Sequence, residues 1–425
     1  MSEDRLFTRV CQCTLMGAPF WWLLGFNLFV YHFVAAFLLL RMVHRYTSED
    51  RGIYVPPSAI YLMMIMTVYF FSLLINGMSA DTMRMMASVY NLSYWGMGFS
   101  LVLVLANTCS FSHMKGFLKA FLWLGCAIAI MGILVFIVSN GGRNNLAFHT
   151  PLYGLTRILG HTTLVENSLM AKPLSWDWLA SVRHPRLNLM SPYPTASGGV
   201  IMLIVVMTVT WGMWEKKLRS PLFLLLVIAN MAALFMTLSR MPIIALGVSF
   251  VGVLLIQRRH AILWILAFLL LLSVTLPWLE KMTEWVLGLR GGSTTGRIAL
   301  YQESFRQMSG VDWILGMGFK PRVYLISTPL GSHSTIISLI YKTGVSGAII
   351  FIIFQAHLLW RWFSMKAFVV EKKSYLNLWF GLGWALSCMA MLMITEDIDA
   401  PQLLAFAYFV LLGIFEAYYR ERVPE

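Results

Sequence analysis

Three short segments carry residues whose type and setting could do chemistry, and each of them suits an anionic substrate. The first runs from Ser293 to Phe305. Ile298, Tyr301, Phe305 and Met308 recur at helical spacing, so an amphipathic helix is expected there, capped by Ser or Thr, with Arg297 in its first turn. A cation in that turn opposes the helix dipole, whereas an anion would meet both the free amides and the guanidinium. The competing reading is an arginine that reaches for a lipid headgroup. The second segment is Thr237 to Pro242, where Arg240 stands at the junction of two apolar runs. An arginine so close to hydrocarbon is costly unless it snorkels or pairs, which makes it a functional candidate as well as a topological anchor. The third is Gly331 to Ile337, in which Ser332 is expected to cap a helix and His333 to sit at its N-terminus. The dipole there favours the neutral imidazole, the form that accepts a proton, although a lone histidine also serves structural purposes.

Together these residues describe a site that holds a phosphate-rich group beside a base. Arginine forks match phosphate oxygens two at a time and stay charged at any working pH. Glu303 and Glu280 are alternative bases, and Arg322, Arg183 and Arg186 are candidate helpers. No glycine-rich nucleotide cradle, HExxH pair or aspartate cluster is present in the sequence, so no metal and no cofactor are expected. The five cysteines lack paired metal or redox spacing, and no disulfide framework is expected.

The elements that must position this chemistry are membrane helices. Of 425 residues, 59% are hydrophobic and only 12% charged, and the mean hydropathy is +0.72. Apolar runs of about 20 residues, the length that crosses a bilayer core, recur along nearly the whole chain. The expected fold is all-α, a polytopic transmembrane helical bundle forming one integral membrane domain over 1–425. Its spans are read at about 18–40, 58–77, 87–107, 117–138, 195–214, 221–239, 241–257, 261–278, 343–360, 375–394 and 403–419. A hairpin at Gly17 to Pro19 would add a twelfth. If the spans alternate, the lysines and arginines of the short loops fall on one side, among them Arg41, Arg45, Lys216, Lys217 and Arg258. That side is then cytoplasmic and so is the C-terminus. The net charge of +13 serves this topology, and no nucleic-acid partner is expected.

Two segments, 139–194 and 279–333, are too long to be simple connectors and both fall on the opposite side, where they carry most of the candidate residues. Trp176, Trp178, Leu187, Leu189 and Met190 in the first and Trp285, Trp313 and Phe319 in the second supply apolar surface for folding against the bundle. A transporter or flippase would instead place ionisable groups near the midplane of repeated, broken helices. The spans here read as almost free of carboxylates, with His32 and His357 isolated.

Over roughly residues 180–365 the chain resembles the bacterial O-antigen ligase and polymerase superfamily. The likeness lies in Ser239–Arg240 at a helix end, Gly296–Arg297 opening a helix in the long loop, and the turn Gly316–Met317–Gly318. It continues with His333 followed by Gly344 and Gly347, and with Tyr193 to Thr195 entering a span. Where members of the superfamily often have Asn after the histidine, this chain has Ser334. The resemblance implies a membrane-embedded, GT-C-like glycosyltransferase of the bacterial inner membrane, acting on undecaprenyl diphosphate-linked glycans at the periplasmic face. It implies that Arg240 and Arg297 bind the leaving diphosphate and that His333 is the base that activates the acceptor hydroxyl; Arg322, which matches no family position, is expected beside them as a further diphosphate ligand. Two reactions fit: polymerisation onto a lipid-linked repeat unit, which is favoured and would involve a chain-length regulator, and ligation to the lipid A-core of lipopolysaccharide.

Overall fold

Long apolar runs that open on a proline or a capping residue become the helices of the bundle. In the computed structural model, which describes residues 3–77, 80–159, 163–176, 185–257, 291–321, 329–369, 372–399 and 402–423, proline stands in the first turn of α4 (Pro57–Asn76), α9 (Pro194–Trp214) and α10 (Pro221–Met236). Its fixed φ and missing N–H cost nothing there. Asp81 caps α5 (Thr82–Thr108) by accepting from the Arg84 amide, and Ser110 with His113 forms a capping box on α6 (Phe111–Val138). Among the described residues eight helices are long and apolar enough to cross a membrane, and the protein is a polytopic helical bundle, as its sequence predicts.

The N-terminal region departs from the single span expected at 18–40. A helix α1 (Glu3–Met16) continues through a hydrogen-bonded bend at Gly17 into α2 (Ala18–Leu24), and the chain reverses afterwards, at Gly25 to Phe29, into α3 (Val30–Ser48). The reversal falls there and not at Gly17–Pro19 because Gly25 takes φ 84°, a left-handed conformation that terminates α2. This is the additional hairpin, and Asp4 of α1 pairs with Arg45 of α3 at 2.5 Å, so the N-terminal end of α1 lies beside the end of α3.

The bundle has a basic end and a loop end. At the basic end Tyr46 and Tyr54 bond Asn107, Lys115 pairs with Glu215 at 2.6 Å, and Lys366 reaches the carbonyl of Ile256 at the end of α11 (Arg240–Gln257). The span expected at 261–278 lies outside the described residues. At the loop end the chain between α6 and α9 folds into a 3-10 turn, two short helices α7 (Thr156–Leu159) and α8 (Thr163–Leu169), and two small antiparallel pairs. These pairs are β1 (Phe148–His149) with β2 (Met170–Ala171), and β3 (Leu174–Trp176) with β4 (Pro185–Leu187). Leu187, Leu189 and Met190 are fully buried, so this loop packs onto the bundle as its apolar content predicts; Trp178 lies outside the described residues.

The second long loop supplies α12 (Gly291–Arg306) and α13 (Asp312–Leu315) before α14 (Thr335–Ser364) re-enters the bundle. Two further long helices, α16 (Lys373–Leu392) and α17 (Gln402–Arg422), follow a short α15 (Lys366–Val369). The core of the molecule is α17, almost entirely buried, with Glu416 in it at 0% exposure. The spans are therefore less free of carboxylates than the sequence suggests: Arg361 of α14 donates to both oxygens of Glu416 at 2.7 and 2.6 Å, a pairing that makes both charges tolerable inside the bundle. His357 is not isolated either, since its Nδ1 lies 3.0 Å from the Tyr61 hydroxyl, and His32 packs edge-on against Tyr94.

Candidate functional site

Arg297 lies further inside its helix than expected. The helix includes Gly291 and the Ser293 to Thr295 run, so Arg297 sits past the first turn. Its buried face is Leu300 and Ser304, at i and i+4, with Met308 buried just past its end; Tyr301 and Phe305 flank this stripe and Ile298 is exposed. This rotation aims Arg297 at the turn that follows α16. One guanidinium nitrogen donates to the Thr395 carbonyl and another to Glu396 Oε1, both at 2.9 Å.

The same turn receives the start of α14. Thr335 donates from its amide to the carbonyls of Met393 and Glu396 and from its hydroxyl to the Glu396 carbonyl, while Ile398 donates to Thr335 Oγ1. Ser334, not Ser332, caps α14, accepting from the Ile337 amide, so His333 stands one position outside the helix. Its backbone takes φ 68°, uncommon for a residue with a side chain, and Tyr301 holds that conformation by donating to the His333 carbonyl at 2.9 Å. Burial pushes the imidazole below its ordinary pKa; the Arg297 and Lys320 cations act the same way and Glu396 opposes them. The expected direction is right, but burial leads it. Neutral imidazole, guanidinium, carboxylate and phenol thus meet at one place.

Below this layer lies a charged floor. Lys320 pairs with Asp397, and Lys342, at 0% exposure inside α14, pairs with Asp399 and lies over the Tyr69 ring at 5.0 Å. Burial and the Asp399 carboxylate push Asp397 up to about 6 against the pull of the two lysines. Asp399, although equally buried, is held below the usual carboxylate range by Lys342 and Lys320. α14 is broken two residues after Lys342 by Gly344 at φ 68°. The turn Gly316–Met317–Gly318 fills the break: Met317 N donates to the Tyr341 carbonyl at 2.7 Å and Gly318 N to that of Lys342 at 3.1 Å. A Cβ on Gly316 would meet the backbone at Lys342 and Thr343, and one on Gly344 would meet the carbonyl of Ile314. Both glycines are required by this close approach and by their positive φ.

Arg240 opens α11 at the loop end. Its turn is set by Arg186, which is buried and donates to the Thr237 carbonyl at 2.9 Å and to Ser239 Oγ at 3.1 Å; Ser239 Oγ in turn donates to the Pro194 carbonyl at 3.1 Å. α11 packs along α16, and α16 leads into the turn that holds Arg297. Arg186 therefore braces the Ser239–Arg240 turn, where the sequence suggested a helper for the substrate. Glu303 is also reassigned: on α12 its carboxylate is held by Arg306 at 2.8 and 3.0 Å and by Gln307, which keep it ionised below the usual range. Such a group is a weak base. Arg183, Arg322 and Glu280 lie outside the described residues.

The sequence reading missed Glu396, Lys320 and the two buried pairs. The acidic run Thr395 to Asp399 lies in a short loop between two apolar spans, where nothing local marks it as a partner for distant cations. Lys342, a charge within an apolar span, carried the stronger signal.

Fold and site define a polytopic helical membrane protein with a cationic, histidine-containing site at one end of the bundle. Residues 222–352, just under a third of the chain, match the family described as O-Antigen ligase. The match contains Arg240, Arg297, Gly316, Gly318 and His333 and supports the likeness of this part of the chain to the O-antigen ligase and polymerase superfamily. No curated protein matches the chain.

Proposed function

We propose that this protein transfers a glycan from an undecaprenyl diphosphate carrier to the sugar hydroxyl of a lipid-linked repeat unit, as a polymerase of cell-surface polysaccharide. The observation that carries the reading is the meeting of Arg297 with His333, both within the O-antigen ligase match, beside Glu396, which lies beyond it. The acceptor hydroxyl oxygen attacks the anomeric carbon as His333 takes its proton. The bond from that carbon to the diphosphate breaks, and its electron pair leaves with the diphosphate. Arg297, with Arg240 and Arg322, neutralises the charge that develops there, and fixed guanidinium groups do this without reorganising. Glu396 aims Arg297 and helps to hold His333. In this reading the loop end faces the periplasm across the bacterial inner membrane, the basic end and the C-terminus are cytoplasmic, and a chain-length regulator is a further partner.

A second reading, ligation of the finished glycan to the lipid A-core, is favoured by the description of the matching family. Both use the same donor chemistry. Complementation of a strain that lacks the gene separates them. Single-repeat glycan in the null strain, with long chains restored by the wild type but not by Arg297→Ala or His333→Ala, supports the polymerase. Long lipid-linked chains left unattached to core identify the ligase. Normal glycan from both variants would sink the site assignment.

A further inference from the structure

The second long loop dips back toward the apolar zone. Tyr341 to Gly344 lie about two turns into α14, roughly 10 Å from its start along the helix axis. The chain after α13 is bonded to this level through Met317 and Gly318, and within α13 the Ile314 carbonyl accepts from Ser346 Oγ. On the other side Asn76, at the end of α4, donates to the Gly316 carbonyl at 2.8 Å. α13 is therefore fixed in the cleft between α4 and the break in α14. Yet its side chains turn outward: Val311 and Ile314, three residues apart on one face, are each 62% exposed, and Trp313 is also exposed. Around them stand the exposed apolar side chains of the two membrane helices, Leu74 and Ile75 on α4 and Ile349 on α14. The outward face of α13 thus continues the lipid-facing belt, whereas a loop surrounded by water would hide such residues.

We propose that α13 is a bilayer contact, with Val311, Trp313 and Ile314 seated among lipid chains at the boundary with the headgroups. A tryptophan with an apolar body and a polar N–H suits that boundary. The Trp313 ring stacks on Phe305 of α12 at 5.7 Å and 19°. Seating of α13 in lipid therefore fixes the depth of the helix that carries Arg297, and holds that guanidinium at the level of lipid phosphates. The contact does not depend on which reaction the site performs.

The test places a benzophenone amino acid at Ile314, at Ile349 or at Glu303 in three full-length variants, each in nanodiscs of phosphatidylethanolamine and phosphatidylglycerol. After irradiation the intact mass is measured. The expected result is a phospholipid adduct at Ile314 to about the extent seen at Ile349, and little at Glu303. Absence of lipid adduct at Ile314 while Ile349 labels would overturn the proposal, as would a cross-linked protein dimer, which would make a second copy the occupant. If the bulky group at Ile314 prevents folding, Val311 is the second position and the same outcomes apply. The readout needs no donor and no turnover, so it stands or falls apart from the glycan-transfer reading.

Discussion

Arg297 and Glu396, ninety-nine positions apart in the chain, are joined by a hydrogen-bonded ion pair of 2.9 Å at the mouth of the bundle. The pair is only partly shielded from solvent, so it adds little to stability, but it fixes where the guanidinium points. A donor diphosphate arriving there shares Arg297 with a carboxylate of like charge. Glu396→Gln should therefore lower KM for the lipid-linked donor, because the competing charge is gone, and lower kcat, because Arg297 is less well aimed. Steady-state kinetics in detergent or nanodiscs checks the split; a rise in KM would contradict it.

Removing Arg297 itself should cost more. Arg297→Ala is expected to lower kcat by about 100-fold or more, the loss seen when one preorganised charge-stabilising donor is deleted. Arg297→Lys keeps the charge but not the fork and should recover only part of the activity. Equal activity in the lysine variant would mean that Arg297 acts only as a diffuse charge.

His333 offers a clean separation of backbone from side chain. Its φ of 68° suits glycine, so His333→Gly should still fold, the relief of backbone strain offsetting part of the lost packing, while losing about 10² to 10⁴ in rate, the usual contribution of a positioned base. The histidine pKa is lowered from its ordinary 6.5, so the base is neutral, and the rate is at its plateau, above that lowered value; activity falls as pH drops through it. Glu396 raises that pKa, and Glu396→Gln should move the acidic limb of the rate profile to still lower pH. A limb above pH 7 in the wild-type protein would exclude His333 as the base.

The two buried aspartates should respond unequally. Asp399→Asn strands Lys342 at 0% exposure, and breaking such a pair costs about 3–5 kcal/mol. Asp397 is different: its folded pKa of about 6 lies above its ordinary 3.8, so its ionisation opposes folding, and the contribution it makes to stability declines as pH rises from about 4 to about 6. Asp397→Asn removes that burden, and Lys320 keeps 10% exposure where Lys342 has none, so it should be the milder change. Thermal unfolding of the two variants at pH 5 and pH 8 compares them, with the cost of Asp397→Asn expected to be smaller at pH 8.

Arg186→Ala should behave as an impaired Arg240. It removes two hydrogen bonds from a buried guanidinium, each worth about 1.5–3 kcal/mol, and frees the turn that sets Arg240. Lower stability together with a raised KM for donor is expected, and Arg186→Lys should restore little of either because one ammonium does not span Thr237 and Ser239. Wild-type donor KM in the alanine variant would remove the brace from the mechanism.

Hydropathy and the distribution of lysine and arginine were enough to determine a helical membrane protein, because an apolar run in lipid has no alternative to a helix. Arg240, Arg297 and His333 stood out as candidates for local reasons: Arg240 is a charge beside hydrocarbon, where chance residues are costly, Arg297 lies near the start of an amphipathic helix, and His333 lies where the chain re-enters a span. Only the tertiary structure decided what these residues face. Glu396 meets Arg297 because α12 is rotated by Leu300, Ser304 and Met308, and such a rotation depends on which helix it packs against. His333 lies outside its helix, rather than in its first turn after a Ser332 cap, because Ser334 bonds the Ile337 amide and Tyr301 holds the strained backbone from a different helix. Arg186 braces the turn before Arg240 because Thr237 and Ser239, about fifty residues away in the chain, accept from its guanidinium. Local sequence sets helices and costs of burial; contacts between distant segments set which charge is paired, and pairing is what distinguishes a binding group from a structural one.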